Sequence, residues 1–190
     1  MITKRQAVRS AQYNKRLLKA VGADVFISHA VEIRRPQLVR LGSHIAIDTG
    51  FYLTTAAELG DYIHIGPDVC IIGGARGLLK MGNFTNLAAG CRVICVSDTF
   101  TGEGLITAPG IPPEYCRLKI APVVLEDFAN VGANAVIMPG VTLGKGSVVG
   151  ACSLVTHNTE PWTIYAGIPA RPIKKRPRAK MLRFARALGY

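Results

Sequence analysis

The sequence predicts a mainly β fold: a parallel β-helix with short helical segments at its two ends. Three observations predict it. Aliphatic residues recur every six positions, at Leu41, Ile47, Leu53, Leu59, Ile65 and Ile71, then Met81, Leu87 and Val93, then Leu125, Val131, Ile137, Leu143, Val149 and Val155. The residue after them is often glycine, as at Gly42, Gly60, Gly66, Gly82, Gly132, Gly144 and Gly150. Four places after the aliphatic stands a small or β-branched residue, such as Val69, Thr85, Ala129, Ala135, Val141, Ser147 or Ser153. A helix repeats every 3.6 residues and a flat strand every two, so a sustained period of six belongs to a solenoid.

The elements follow in order. Residues 1–22 read as a basic helical segment, with Ala7, Val8, Ala11, Leu17, Leu18 and Val21 on its apolar side and Gly22 as a stop. The β-helix occupies 23–160 and enters near Val25 and Val31. From Val31 to Leu41 the step is ten, which places a four-residue bulge at Arg34-Arg35-Pro36-Gln37. The same step from Ile71 to Met81 places a second insertion at Gly73-Gly74-Ala75-Arg76-Gly77. From Val93 to Leu125 the step is 32, so about 26 residues leave the coil as a loop over 99–122 containing Pro109, Pro112 and Pro113. A long loop inside so regular a repeat is expected to carry function. The beat ends after Val155. Residues 161–190 read as an extended, proline-pinned segment and then a basic amphipathic helix over 177–188, with Met181, Leu182, Phe184, Ala185 and Leu188 apolar. That helix is expected either to cap the open end of the solenoid or to make a peripheral membrane contact.

Charge is uneven along the 190 residues. The net +11 gathers at the ends: residues 1–20 hold six Lys/Arg and residues 171–190 hold eight, with no acid in either stretch. The body between holds 9 basic and 12 acidic residues. Basic ends suit anionic partners. No aromatic stacking platform or reading helix accompanies them, so nucleic acid is not expected. The five cysteines (Cys70, Cys91, Cys95, Cys116, Cys152) are odd in number and lack a Cys-x-x-Cys pair. They read as small packed residues in a reducing compartment. With no apolar stretch after Met1-Ile2-Thr3-Lys4-Arg5, a cytoplasmic location is expected.

The run Val131-Gly132-Ala133-Asn134-Ala135-Val136-Ile137-Met138-Pro139-Gly140, followed by Val149-Gly150-Ala151-Cys152-Ser153 and Tyr165-Ala166-Gly167-Ile168-Pro169-Ala170-Arg171-Pro172, resembles hexapeptide-repeat acyltransferases of the galactoside/maltose O-acetyltransferase branch. The loop start Ser97-Asp98-Thr99-Phe100-Thr101-Gly102 resembles members of surface-polysaccharide (O-antigen or capsule) pathways. The resemblance implies a left-handed β-helix, a homotrimer, acetyl-CoA as donor, and active sites between subunits; no metal is expected. It implies donor contacts at Ala133, Ala151, Thr156, His157, Arg171 and Lys174.

Acetyl transfer to a hydroxyl needs a base for its proton and a donor for the thioester oxygen. Histidine is suited to the first, and the chain has four: His29, His44, His64 and His157. The histidines show no metal-ligand spacing. The family's base ends the coil before the long loop, a position held here by Asp98. Its acceptor-binding Asn, five hexapeptides earlier, is replaced by His64. The resemblance therefore points to His64 as base, with Asp98 of the adjacent subunit orienting it or holding the acceptor. Asn86 should stack beside His64 one coil on, and Asp68 is a further acceptor contact. His29 and His44 read as structural. Transfer is expected to be direct, with Cys95 and Cys116 the candidates for a covalent route. The expected function is O-acetylation of a sugar, nucleotide-sugar or glycan hydroxyl. The alternatives are N-acetylation of a nucleotide-linked amino sugar and, in another class, a non-catalytic trimeric scaffold for anionic partners.

Overall fold

The structure, a computed structural model, describes residues 12–190. The chain winds as a three-faced β-solenoid of short parallel strands. The first face stacks Ala20–Val21, Val39–Leu41, Ala56–Leu59, Leu78–Met81, Val123–Leu125 and Thr142–Leu143. The second stacks Val25–Ile27, Ile45–Ile47, Ile63–Ile65, Asn86–Leu87, Asn130–Val131, Val148–Val149 and Thr163–Gly167, closed by the antiparallel strand Ala170–Lys175. The third stacks Glu32–Ile33, Tyr52–Leu53, Cys70–Ile72, Arg92–Ile94, Val136–Ile137 and Leu154–Val155.

The six-residue beat is the core. Every aliphatic residue named in it is buried, with Ile65, Ile71, Leu87, Val93, Ile137, Leu143 and Val149 at 0% exposure. Each coil strand carries one beat residue, at its end or, for Ile71 and Val93, one residue before it, so three beats make one coil. The register confirms the insertions after Ile71 and Val93: the second-face steps are 18 from Ile47 to Ile65, 22 to Leu87, 44 to Val131 and 18 to Val149.

The entry register differs from the sequence expectation. Ile27 pairs with Ile47 and Ile33 with Leu53, so the beat enters at Ile27 and Ile33, and the first insertion is two residues rather than four. A 3-10 turn, Pro36–Leu38, absorbs it, and Arg35 donates to the carbonyl of Thr54 at 2.6 Å. Of the helical segment expected at 1–22, residues 1–11 lie outside the described residues. The remainder is a three-residue 3-10 turn, Lys15–Leu17, and a strand, Ala20–Val21, on the open edge of the first face. Parallel pairing with Val39–Leu41 satisfies the backbone there better than an isolated helical turn would.

The corner from the first to the second face explains the glycines. Asp127 Oδ1 accepts the backbone N–H of Asn83 (2.9 Å), Asn83 Oδ1 that of Asp61 (2.8 Å), and Asp61 Oδ1 that of Ser43 (2.6 Å). Each cap occupies the space a Cβ would need on the glycine of the preceding coil: Asn83 Oδ1 lies 2.5 Å from that point at Gly60, and Asp127 Oδ1 2.6 Å at Gly82. The next residue on this corner is left-handed on coil after coil, and it is aromatic at His44, Tyr62, Phe84, Phe128 and Trp162, with φ between 53° and 63°; Gly146 holds the position between the last two. Bulky residues rarely adopt this region, which costs on the order of 1 kcal/mol or more each. Here they stack into a ladder, with ring centroids 4.6 Å (His44–Tyr62), 4.9 Å (Tyr62–Phe84) and 5.1 Å (Phe84–Phe128) apart.

The helix α1, Ala179–Ala187, lies along this corner and not over the end of the solenoid. Met181, Leu182 and Ala185 pack on Phe84, Phe128 and Trp162, and Tyr190 meets Tyr62 and Phe84 edge-on. The stacked rings give the apolar side of the helix a large aromatic surface to bury against, which explains the position. Among the described residues, no helix is long and apolar enough to cross a membrane.

Candidate active site

His64 points outward from the second face. Its register partners are Ala46 on the preceding coil and Asn86 on the following one, as the coil count requires. Asn86 donates to the carbonyl of Val131 at 3.4 Å, so part of its polar capacity goes to backbone. The carboxylate beside His64 within the chain is Asp48: Nε2 and Oδ2 are 2.9 Å apart. The ring is 61% exposed and the Asp48 side chain 37%. The pair can hold a proton on one nitrogen while leaving the other free to accept one. Sequence reasoning missed Asp48 because the pair is diagonal. Two coils in register are 18 residues apart there, but these residues are 16 apart.

Asp98 stands elsewhere in the protomer. The chain leaves the solenoid on the corner between the third and first faces, as a hairpin pairing Val96–Asp98 with Leu118–Ile120. Asp98 Oδ1 accepts the hydroxyl of Thr107 at 2.9 Å and its backbone N–H at 3.1 Å, tying down the long loop. Thr156 and His157 occupy the same corner further along, bonded to each other at 2.9 Å.

Ala133 and Ala151 lie on a different corner, between the second and third faces. They sit on successive coils, with the amide of Cys152 donating to the carbonyl of Ala133 at 2.8 Å. Pro67 and Ala89 continue this line of small residues toward His64; the amide of Gly90 donates to the Pro67 carbonyl and that of Asn134 to the Ala89 carbonyl, both at 2.9 Å. The closing hairpin places Arg171 opposite Ala166 and Lys174 opposite Ile164, both exposed. From His64 the second face crosses five strand spacings to Lys174, about 24 Å. Asp68, left-handed at φ 58°, turns this corner, and its carboxylate fills the space a side chain at Gly50 would need. The expected residues therefore fall into two groups on two edges. One edge carries His64, Asp68, Asn86, Ala133, Ala151, Arg171 and Lys174. The other carries Asp98, Thr156 and His157.

His44 stacks on Tyr62 and faces Asp24 at 3.0 Å, a structural setting. Cys95 is buried, and burial pushes its thiol up to about 11, unsuited to a nucleophile near neutral pH.

Residues 122–157 match the bacterial transferase hexapeptide (six repeats) family. A dTDP-4-amino-4,6-dideoxy-D-glucose acyltransferase from Escherichia coli is 29% identical over 162 residues, 83% of this chain and 82% of that protein. WbbJ of Escherichia coli strain K12, named for lipopolysaccharide biosynthesis O-acetyl transfer, is 30% identical over 128 residues, 65% of this chain and 60% of its own length. A crystal structure of a variant of AntD, an N-acyltransferase from Bacillus cereus in complex with dTDP and coenzyme A, superposes with a TM-score of 0.87 at 30% identity, covering 95% of this chain and 99% of that one. The solenoid, its long loop and these matches define an enzyme that transfers acyl groups. The chain belongs to the hexapeptide-repeat acyltransferase family.

Proposed function

We propose that the chain is an acyl-CoA-dependent N-acyltransferase whose acceptor is a nucleotide-linked amino sugar. The observation that carries this reading is the end-to-end correspondence with AntD, an N-acyltransferase seen with dTDP-4-amino-4,6-dideoxyglucose and coenzyme A, at a TM-score of 0.88 over 95% of this chain. The acyl-CoA arm runs along the corner of Ala133 and Ala151, with its phosphates toward Arg171 and Lys174, where charge-assisted hydrogen bonds hold them. The two-edge distribution of the site residues supports a homotrimer, in which one copy's His64 edge faces the partner subunit's Asp98. His64 takes the proton released as the acceptor nitrogen attacks the thioester, and Asp98 and Asn86 hold the acceptor.

The hydroxyl acceptor expected from the sequence is the second reading. The similarity to WbbJ favours it, as does a histidine–carboxylate pair, since a hydroxyl needs more help from a base than an amine does.

The test is thiol release from acetyl-CoA and 3-hydroxybutyryl-CoA with dTDP-4-amino-4,6-dideoxyglucose and with hydroxyl-only sugars, alongside native mass spectrometry. Turnover confined to the amino sugar by a trimer supports the proposal. Acetylation of hydroxyl sugars alone, or a monomer with full activity, overturns it.

A further inference from the structure

We infer that Asp48 is the positioning residue of His64. It accepts the Nε2 proton, fixes the ring, and presents Nδ1 as the basic atom. This rests on the proton-accepting role of His64 proposed above. The Nε2–Oδ2 separation is 2.9 Å. The backbone holding the carboxylate belongs to the solenoid ladder, with the Asp48 amide donating to the carbonyl of Ile65, the residue after His64, at 2.9 Å. The pair is therefore fixed by two adjacent coils and not by a loop. Ala46, opposite His64 in the register, supplies only a methyl, which leaves room for the ring to lean toward Asp48. On the other side Asn86 completes the row.

The chemistry follows. A neutral imidazole that donates from Nε2 has its lone pair on Nδ1. The acceptor nitrogen bonds to the thioester carbonyl carbon, and its proton passes to Nδ1. The carbon–sulfur bond breaks with its electron pair on sulfur. The imidazolium returns the proton to that thiolate, giving amide and free thiol. Throughout, Asp48 stays ionised and stabilises the charged ring.

The experiment has two arms. The first is kinetic, on Asp48→Ala, Asp48→Asn, His64→Ala and the double variant, each checked for an unchanged thermal midpoint. Asp48→Ala should lower kcat about ten- to a hundredfold, as loss of an orienting partner does, with acceptor and acyl-CoA KM within about twofold. Asp48→Asn should fall between. In the His64→Ala background the same change should have no further effect. An Asp48 loss that persists without His64 overturns the inference. Full activity of His64→Ala instead overturns the role given to His64. The second arm needs no acceptor: proton–nitrogen correlation spectra of the His64 ring. Wild type should hold the neutral-state proton on Nε2 beyond the share in free histidine, and Asp48→Ala should return the ring to the free mixture. Equal tautomer ratios in the two proteins, or a proton on Nδ1, overturn the inference.

Discussion

The phenol of Tyr190 donates a 2.6 Å hydrogen bond to the carboxylate of Asp61, joining positions 129 residues apart. The contact ties the segment after α1 to the corner that carries the aromatic ladder. It pushes the phenol up to about 12. Asp61 is held below the ordinary carboxylate value by the Ser43 amide first and the Tyr190 phenol second. The raised phenol stabilises the fold fully below its ordinary 10.0, and that contribution is lost as pH climbs toward about 12. The lowered carboxylate contributes above its ordinary 3.8, and that is lost as pH falls through the depressed value. Burial also raises the Tyr13 phenol, so absorbance titration of phenolate should show a late phase whose component near 12 Tyr190→Phe removes, and this variant should melt earlier at neutral pH.

Gly82→Ala should destabilise the solenoid at its middle. The new methyl would lie 2.6 Å from Asp127 Oδ1 and 2.7 Å from the Asp127 amide nitrogen. Asp127 must withdraw, leaving the Asn83 amide without its cap. A cost of about 1–3 kcal/mol is expected from the displaced hydrogen bond, measured by denaturant unfolding. Gly74→Ala is the contrast: its φ is +56°, yet a methyl there meets nothing within 4 Å. It should cost about 1 kcal/mol from backbone strain alone.

Phe128→Ala removes a buried rung between Phe84 and the tilted ring of Trp162. It also removes a ring that α1 packs against. A loss of about 3 kcal/mol is expected for so large a deletion. Amide exchange in α1 should accelerate more than in the coil at Ile65 and Ile71.

Cys152 should be the cysteine that reports on the donor. It is exposed beside Ala151, while Cys91 and Cys95 are buried. An alkylating reagent should label Cys152 first, acyl-CoA should slow the labelling, and the labelled enzyme should lose acyl-CoA binding by calorimetry. Labelling that acyl-CoA leaves unchanged would place the donor on another edge.

Asp98 has two candidate duties that substitution can separate. Thr107→Val removes one of the two bonds Asp98 accepts from the loop and leaves the amide. If Asp98 also reaches the acceptor, Asp98→Ala should cut kcat/KM about a hundredfold, with Thr107→Val within about threefold. Equal losses would reduce Asp98 to a loop anchor.

The core was legible because the beat is a direct record of burial: each period-six aliphatic is buried, at or next to the end of its strand. The entry register was not, because Val25 and Ile27 both point inward from one strand, as alternation allows, and either fits the beat. His64 and Asn86 were readable as register partners, since coil counting finds residues in line. Asp48 was not, since a diagonal neighbour has no fixed period. The aromatic ladder was hidden for a related reason: the insertions stretch its spacing from 18 residues to 22 and 44. The place of α1 was unreadable until that ladder existed as a surface.

The relay of caps through Ser43, Asp61, Asn83 and Asp127 makes each turn the lid of the one before it. A coil lifted out as an 18-residue cassette would take one cap with it and strand another. Grafts and duplications in this scaffold should therefore be cut on the corner between the third and first faces, inside the Gly73–Gly77 excursion, where strand spacing already tolerates four extra residues and this relay is left whole.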